Sequence, residues 1–335
     1  MIPGRQERWR RDPRAGVLVI VAGVALAGFV AMAIALLSCL SAPPEVAQGP
    51  QPLPELAVPL VQDPQVLTGR LANGLAYYVQ ANREPENRAE LRLAVNAGSL
   101  LEEDDQQGLA HFVEHMAFNG TENFQEQEIV DYLESIGMPF GPEVNAYTSY
   151  DETVYTLLVP TEDPAVLETG VQILEEWAHR IRFEPDEVLK ERPVLVEEWR
   201  LGRGAEARMQ DAQHPVLFQG SRYAERRPIG KVETIQGADA QALLRFYRDW
   251  YRPDLMAVVA VGDFDAAAMV ELIRRRFSGL PAQPGARERI TYPVPPHGET
   301  LYAPATDPEA TSSRVGIYVK RPVRATRTEA DYRQQ

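Results

Sequence analysis

Residues 108–119 read GLAHFVEHMAFN, a pattern with the period of an amphipathic helix. At about 100° per residue, its large apolar side chains cluster on one face: Leu109, Phe112, Val113 and Met116. The opposite face carries the polar residues and one aromatic: His111, Glu114, His115 and Phe118. The segment therefore predicts a helix that packs one side into a core and turns the other side towards a cavity.

The polar face of this predicted helix has the composition of half a metal site. His111 and His115 are one helical turn apart, so both imidazoles can converge on one ion. Glu114 lies on the same side, and the H-x-x-E-H order is typical of one class of zinc peptidase. A solvated polar face would account for a lone histidine. Two of the five histidines in the chain fall here with a carboxylate between them, which favours the metal.

A catalytic zinc usually takes three protein ligands and leaves a fourth position for water. The downstream segment 191–199, ERPVLVEEW, offers a third ligand. Glu191 and Glu198 are seven residues apart and nearly eclipse each other after two helical turns, so both can face one cavity. Glu197 is the competing ligand. Pro193 interrupts the pattern: it either kinks the helix or sits in the first turn of a new one.

An H-x-x-E-H motif followed downstream by a glutamate, six residues and a second glutamate resembles the inverzincin family of pitrilysin, insulysin and mitochondrial processing peptidase. Within that family the chain resembles the bacterial branch of PqqL-like predicted zinc proteases. The likeness covers most of residues 60–335, and four segments carry it: 108–123 (GLAHFVEHMAFNGTEN), 145–155 (NAYTSYDETVY), 191–200 (ERPVLVEEWR) and 247–265 (YRDWYRPDLMAVVAVGDFD).

The resemblance implies a zinc-dependent endopeptidase that hydrolyses peptides or unfolded segments and holds one Zn²⁺ per chain. The implied roles are zinc ligation by His111, His115 and Glu198, general-base catalysis by Glu114, orientation of a ligand histidine by Glu191, and binding of the substrate backbone by Asn145. Asn145 is equally typical of a turn or strand end. Since the family also contains members without the chemistry, the alternative function is a non-catalytic or partner-dependent subunit that serves binding or assembly.

The composition is that of a globular enzyme. Apolar residues make up 44% of the 335 residues, enough for a sizeable core, and the formal net charge is -14. A nucleic-acid partner is not expected, because binding to a phosphate backbone rests on clustered Lys and Arg.

The amino terminus predicts an export signal or membrane anchor. A basic segment, 1–16, precedes the apolar run 17–37. This run is long enough to span a bilayer core of about 30 Å and exceeds the apolar stretch of a cleaved signal. We therefore expect an uncleaved anchor over 17–40, followed by a proline-rich linker over 41–60. The single cysteine, Cys39, resembles a lipoprotein site and gives an alternative anchor. Both predict a bacterial envelope protein whose catalytic domain faces the periplasm.

The rest of the chain predicts an α+β fold with a mixed, largely antiparallel sheet packed against helices, forming a zinc peptidase domain over 61–280. Strands are expected near 75–80, 89–97, 143–149, 153–160 and 255–261, and helices near 126–136, 164–182, 185–212, 238–250 and 266–277. Residues 281–335 predict a linker and the start of an incomplete second homologous domain, with a strand at 314–319. Homo- or hetero-association is expected to supply the opposing domains, which the family uses to enclose a peptide.

Overall fold

The computed structural model describes residues 58–139, 141 and 143–334. The apolar run 17–37, Cys39 and most of the predicted linker lie outside these residues. Within the described part of the chain, no helix is both long and apolar enough to span a membrane. Residues 63–294 form one compact unit, and the described residues outside that range belong to a second unit.

A six-stranded sheet in the order β1-β2-β6-β3-β5-β4 organises the larger unit. All neighbouring strands are antiparallel except β2 and β6, which run parallel. The strands are β1 (Leu67–Arg70), β2 (Ala76–Ala81), β3 (Arg88–Val95), β4 (Val144–Thr148), β5 (Thr153–Pro160) and β6 (Met256–Gly262). The predicted mixed, mainly antiparallel α+β fold is confirmed. Strand β1 was not predicted, because its short segment carries only one large apolar residue, Leu67.

Successive side chains along the strands alternate between buried and more exposed positions, because helices cover one face of the sheet. In β3, Leu91, Leu93 and Val95 are fully buried, while Glu90 and Arg92 pair with each other on the other face. Alternation of this kind is the signature of a half-buried antiparallel strand. The sheet therefore offers a dry face to the helices and a more polar face to the other side.

The helices of the described residues are α1 (Leu109–Asn119), α2 (Glu128–Ser135), α3 (Pro164–His179), α4 (Pro185–Leu201), α5 (Ala205–Leu217), α6 (Val232–Gly237), α7 (Ala240–Trp250), α8 (Ala266–Phe277) and α9 (Glu329–Arg333). Capping by nearby side chains explains where two of these helices begin. Asp239 and Asp265 accept hydrogen bonds from backbone N–H groups in the first turns of α7 and α8, which satisfies donors that a helix start otherwise leaves unpaired.

Pro193 does not end its helix. α4 continues through it from Pro185 to Leu201, although proline removes one hydrogen bond and costs about 3 kcal/mol in a helix interior. Val188 and Leu195, on either side of the proline, are both buried. Packing of this face stabilises the helix in spite of the missing bond, so the alternative of a second helix beginning near Pro193 is wrong.

Two predicted elements differ from the structure. The helical stretch 185–212 is split into α4 and α5, with a break at 202–204, where Gly204 has extended geometry. The strand predicted at 314–319 does not form: Val315 and Ile317 are 67% and 66% exposed, and the segment pairs with no strand among the described residues. A strand needs a neighbour for its backbone groups, whatever its own propensity.

The smaller unit is described only in part. Pro59 and Thr328 form an isolated antiparallel bridge, and Thr328 caps α9 by accepting from the backbone N–H of Asp331. The assignment of 281–335 to a second homologous domain stays a prediction.

Candidate metal centre

The start of α1 is built from a tight backbone contact and a buried carboxylate. Gly108 precedes the helix in the left-handed region, at φ 104°. A Cβ on Gly230 would lie 2.2 Å from the Gly108 Cα, so this close approach of the two backbone segments requires glycine at position 230. Glu102 Oε1 accepts from the backbone N–H groups of Gly108 (3.0 Å) and Ala110 (2.9 Å). Glu102 therefore supplies the capping bonds that a glycine N-cap cannot make.

The predicted apolar face of α1 is buried. Leu109, Phe112 and Val113 have no exposed surface and Met116 has 1%. Near the end of the helix, the buried Trp177 indole donates from Nε1 to the Ala117 carbonyl at 2.8 Å. The helix is consequently held against the core along one whole side, and its other side presents the histidines.

His111, His115 and Glu198 come together although the glutamate lies on a different helix. One ligand atom from each of the three lies within 4.8 Å of the others. The Glu198 Oε2 atom is 3.2 Å from His115 Nε2 and 3.7 Å from His111 Nε2. The two imidazole rings are perpendicular, with centroids 4.7 Å apart.

This geometry and donor set suit zinc. Ligand bonds of about 2.0–2.2 Å at a tetrahedral centre separate the ligand atoms by about 3.3–3.6 Å. The separations of 3.2 and 3.7 Å from Glu198 Oε2 to the two Nε2 atoms bracket that range. Two imidazole nitrogens and one carboxylate oxygen also form the His₂Glu set used by catalytic zinc sites that keep an open position.

Glu191 orients one of the histidines. Its Oε1 atom lies 2.8 Å from His115 Nδ1, and its Oε2 atom accepts from the Asn119 amide at 2.8 Å. Burial alone would raise the pKa of the Glu191 carboxyl, but these hydrogen bonds outweigh it and lower the pKa. Because an ionised carboxylate can only accept, His115 Nδ1 carries the proton and His115 Nε2 faces Glu198.

The two histidines differ in their electrostatic surroundings. Burial lowers the pKa of His115, yet hydrogen bonds to Glu191 and Glu198 raise it overall to about 9. Burial and the neighbouring His115 lower the pKa of His111 to about 4. His111 Nδ1 is buried and has no hydrogen-bond partner among the described residues. His111 is therefore neutral near pH 7, the form that a metal ion needs.

Glu114 lies beside the trio but is held by the sheet. It is only 7% exposed, and the Thr148 hydroxyl of β4 donates to its Oε2 at 2.5 Å. Burial raises the pKa of Glu114 to about 7, against the lowering effect of the Thr148 hydrogen bond. Thr148 was not singled out from the sequence. Strand alternation could have placed it on the helix-facing side of β4, but nothing local identifies the glutamate that it contacts.

The remaining predicted site residues lie elsewhere. Glu197 forms a two-armed ion pair with Arg200 at 2.8 and 2.6 Å, and so points away from the trio. Asn145 lies on β4 and is exposed, and its Oδ1 atom accepts from the backbone N–H of Ala146 at 2.9 Å.

The edge of β4 near Glu114 is open. β4 pairs with β5 and with no other strand in the described part of the chain. The bonds Leu158 N to Glu143 O and Ser149 N to Glu152 O fix which residues face β5. By alternation along an antiparallel pair, the backbone groups of Val144, Ala146 and Thr148 face away from β5. The Val144 carbonyl accepts there from the Gly141 N–H at 2.8 Å, which leaves the groups of Ala146 and Thr148 along the open edge.

Comparison with known proteins agrees with this geometry. Residues 77–224 match the family model for insulinase (peptidase family M16), and residues 237–329 match the peptidase M16 inactive domain. A zinc protease PQQL-like protein of Arabidopsis thaliana is 45% identical over 266 residues, which cover 79% of this chain and 28% of the relative. The probable zinc protease PqqL of Escherichia coli is 37% identical over 280 residues, covering 84% of this chain and 30% of that protein.

Solved structures give the same picture. The crystal structure of the first half of the periplasmic protease PqqL from Escherichia coli superposes with a TM-score of 0.68 at 40% identity. The match covers 71% of this chain and 51% of that one. Pitrilysin, at 24% identity and a TM-score of 0.59, shares the fold. The chain spans less than a third of the length of the two curated relatives named above.

Proposed function

Because the chain belongs to the insulinase family of peptidases, M16, we propose that it is a zinc-dependent endopeptidase that hydrolyses peptide bonds in peptides or unfolded segments. The observation that carries the proposal is the approach of His111, His115 and Glu198 within 4.8 Å, next to the buried carboxylate of Glu114. A site with metal-ligand geometry and a separate base fits catalysis better than a structural metal, which is usually closed by four protein ligands.

The trio would hold one zinc ion through His111 Nε2, His115 Nε2 and Glu198 Oε2. When bound, zinc supplies Lewis-acid chemistry, since it polarises a peptide carbonyl and makes water acidic near neutral pH. Glu191 holds the His115 Nδ1 proton, so that Nε2 is directed at the ion once zinc has displaced the Nε2 proton. Glu114 takes a proton from the attacking water and delivers it to the leaving amine, as a general base that then acts as an acid. In the metal-free chain, burial raises the pKa of Glu114 towards neutrality, a direction that suits a group that must both accept and donate a proton.

The peptide would bind as an added strand on the free edge of β4. Backbone groups of Ala146 and Thr148 would supply the hydrogen bonds, a mode that recognises main chain more than side chains. Asn145 covers the Ala146 N–H in the structure. In the proposed complex the Asn145 side-chain amide turns towards the peptide backbone, and a peptide carbonyl accepts from the Ala146 N–H instead.

The test measures zinc content and cleavage of an unstructured peptide library by the full chain. The wild type is expected to bind one zinc and to cleave, and chelation is expected to abolish cleavage until zinc is returned. Glu114→Gln should keep zinc and lose cleavage. Glu198→Gln should lose zinc, while the neighbouring control Glu197→Gln should keep both. Zinc retained in Glu198→Gln, or cleavage by Glu114→Gln, would overturn the roles assigned here.

The alternative of a partner-dependent or non-catalytic subunit has one observation in its favour. The named curated relatives are more than three times as long as the part this chain matches, at 28% and 30% coverage. Zinc binding without cleavage, followed by cleavage on addition of a second, separately made chain, would support dependence on a partner. Zinc binding without cleavage under any combination would support a binding role.

We also propose that the chain acts in the bacterial envelope, facing the periplasm. The Escherichia coli relative is described as a periplasmic protease. The anchor predicted over 17–40, or a lipid on Cys39, would hold it there. Fractionation of cells that express the full chain, with and without Cys39→Ser, separates these two anchors.

A further inference from the structure

Asn119 occupies an unusual place for a polar side chain next to a metal site. It is the last residue of α1, one helical turn beyond His115, and it is half-buried. Its amide nitrogen Nδ2 lies 2.8 Å from Glu191 Oε2, and the other oxygen of the same carboxylate lies 2.8 Å from His115 Nδ1. One carboxylate from α4 thus bridges two residues of α1 that lie on the same face.

Each oxygen of Glu191 has one donor in this arrangement. The asparagine amide is placed as a donor because an ionised carboxylate has no hydrogen to give. With Asn119 on Oε2, the carboxylate cannot rotate without breaking a charge-assisted hydrogen bond. Oε1 is then fixed in front of His115 Nδ1, which fixes the protonated nitrogen and the tilt of the ring.

The other histidine lacks such a contact. His111 Nδ1 is buried and has no hydrogen-bond partner among the described residues. Of the two rings, His115 is the one that a hydrogen bond on its Nδ1 side holds in place.

We propose that Asn119 is a positioning residue for the metal site, whose amide fixes the Glu191 carboxylate so that His115 presents Nε2 to the ion. This inference rests on the zinc site proposed above. Neither the helical period of α1 nor its H-x-x-E-H motif requires a polar residue at this position, and leucine would suit the helix at least as well.

Zinc affinity of the full chain, measured by competition with a chromophoric chelator, tests the proposal without any need for cleavage. Asn119→Leu keeps the side-chain size and removes the donor, and we expect its affinity to fall about 10- to 100-fold, as for other residues that support metal ligands. Asn123→Leu is the matched control. Asn123 donates to the Glu176 carboxylate at 2.6 Å, in an amide–carboxylate contact apart from the trio, and its loss should leave zinc affinity unchanged.

A double-mutant cycle separates positioning from a general effect on the end of α1. Asn119→Asp places two carboxylates face to face and should weaken zinc binding at least as much as Asn119→Leu. In a Glu191→Gln background, the carboxylate introduced by Asn119→Asp can instead accept from the glutamine amide, so this second change should cost less than about threefold. An effect of equal size in both backgrounds would mean that Asn119 merely supports the helix, and would overturn the proposal.

The outcomes for this inference and for the proposed function can be told apart. If the wild type binds no zinc, both fall. If the wild type binds zinc through the trio but Asn119→Leu binds as tightly as Asn123→Leu, only the positioning role falls. Circular dichroism of the metal-free variants checks that each folds, and should Asn119→Leu not fold, the aspartate cycle decides alone.

Discussion

Replacing Glu102 with glutamine removes one ionisable group from the buried start of α1. The Glu102 side chain has no exposed surface; Oε1 caps the helix, and Oε2 has no hydrogen-bond partner among the described residues. Burial raises the pKa of this carboxyl from 4.5 to about 8, although the N–H groups of Ala110 and Gly108 and the nearby Arg226 and Arg222 favour the ionised form. Glutamine keeps the acceptor oxygen and resembles the protonated acid.

The size of the effect follows from proton linkage. Between pH 4.5 and pH 8 the folded chain holds a proton on Glu102 that the unfolded chain has released. Folded protein therefore binds more protons, and its stability falls as the pH rises. Each pH unit in this window costs about 1.4 kcal/mol for one proton, so the loss reaches about 5 kcal/mol by pH 8. Below pH 4.5 the stabilisation of the neutral acid is fully present.

Urea unfolding of the metal-free full chain at several pH values between 5 and 8 measures this difference. Glu102→Gln should match the wild type near pH 5 and exceed its free energy of unfolding increasingly towards pH 8. Glu134→Gln, an exposed glutamate on α2, is the control and should run parallel to the wild type. If the curve for Glu102→Gln also runs parallel, Glu102 is ionised in the folded chain and the argument from burial is wrong.

Two further changes test other contacts of α1. Thr148→Val removes the hydroxyl that holds Glu114. We expect kcat to fall about 10- to 100-fold, because a hydrogen bond to a charged group contributes roughly 1.5–3 kcal/mol. Zinc affinity should stay constant, and Thr148→Ser, which keeps the hydroxyl, should retain most of the wild-type kcat. Gly230→Ala would place a Cβ 2.2 Å from the Gly108 Cα, at a backbone position whose φ is +71°. Thermal or urea unfolding should show a free energy of unfolding that is lower by about 2–4 kcal/mol. Gly237→Ala, where a Cβ meets nothing within 4 Å, should change stability by less than about 1 kcal/mol.

Much of the fold is encoded locally and could be predicted. The 3.6-residue period of 108–119 predicted α1 and its buried face, and the strands expected near 75–80, 89–97, 143–149, 153–160 and 255–261 form as β2 to β6. The break between α4 and α5 and the missing strand at 314–319 were not predicted. The two glycines of the break lie between segments of helical composition, which favoured one continuous helix. For 314–319, strand propensity does not show whether a partner strand is present.

In the candidate site, too, the residues set by local sequence could be predicted, whereas the contacts between distant segments could not. A motif fixes the spacing of His111, Glu114 and His115, and a seven-residue register favoured Glu198 over Glu197. The contacts that hold these groups join residues distant in sequence: Thr148 is 34 positions from Glu114, and Asn119 is 72 from Glu191. Such pairs leave no periodic trace in a single sequence. They become visible only when the sheet and helices bring the segments together.

Thr148 links the two halves of the proposed chemistry. Its hydroxyl donates to Glu114 Oε2, while its backbone groups point to the free edge of β4. A peptide added to that edge would therefore be placed relative to the base by the same residue that orients the base. Because the end of α1 is also tied to α4 through Asn119 and Glu191, the base and the two histidine ligands share one helix that contacts both β4 and α4. Displacement of β4 would then misplace substrate and base together, whereas displacement of α4 would act first on the metal.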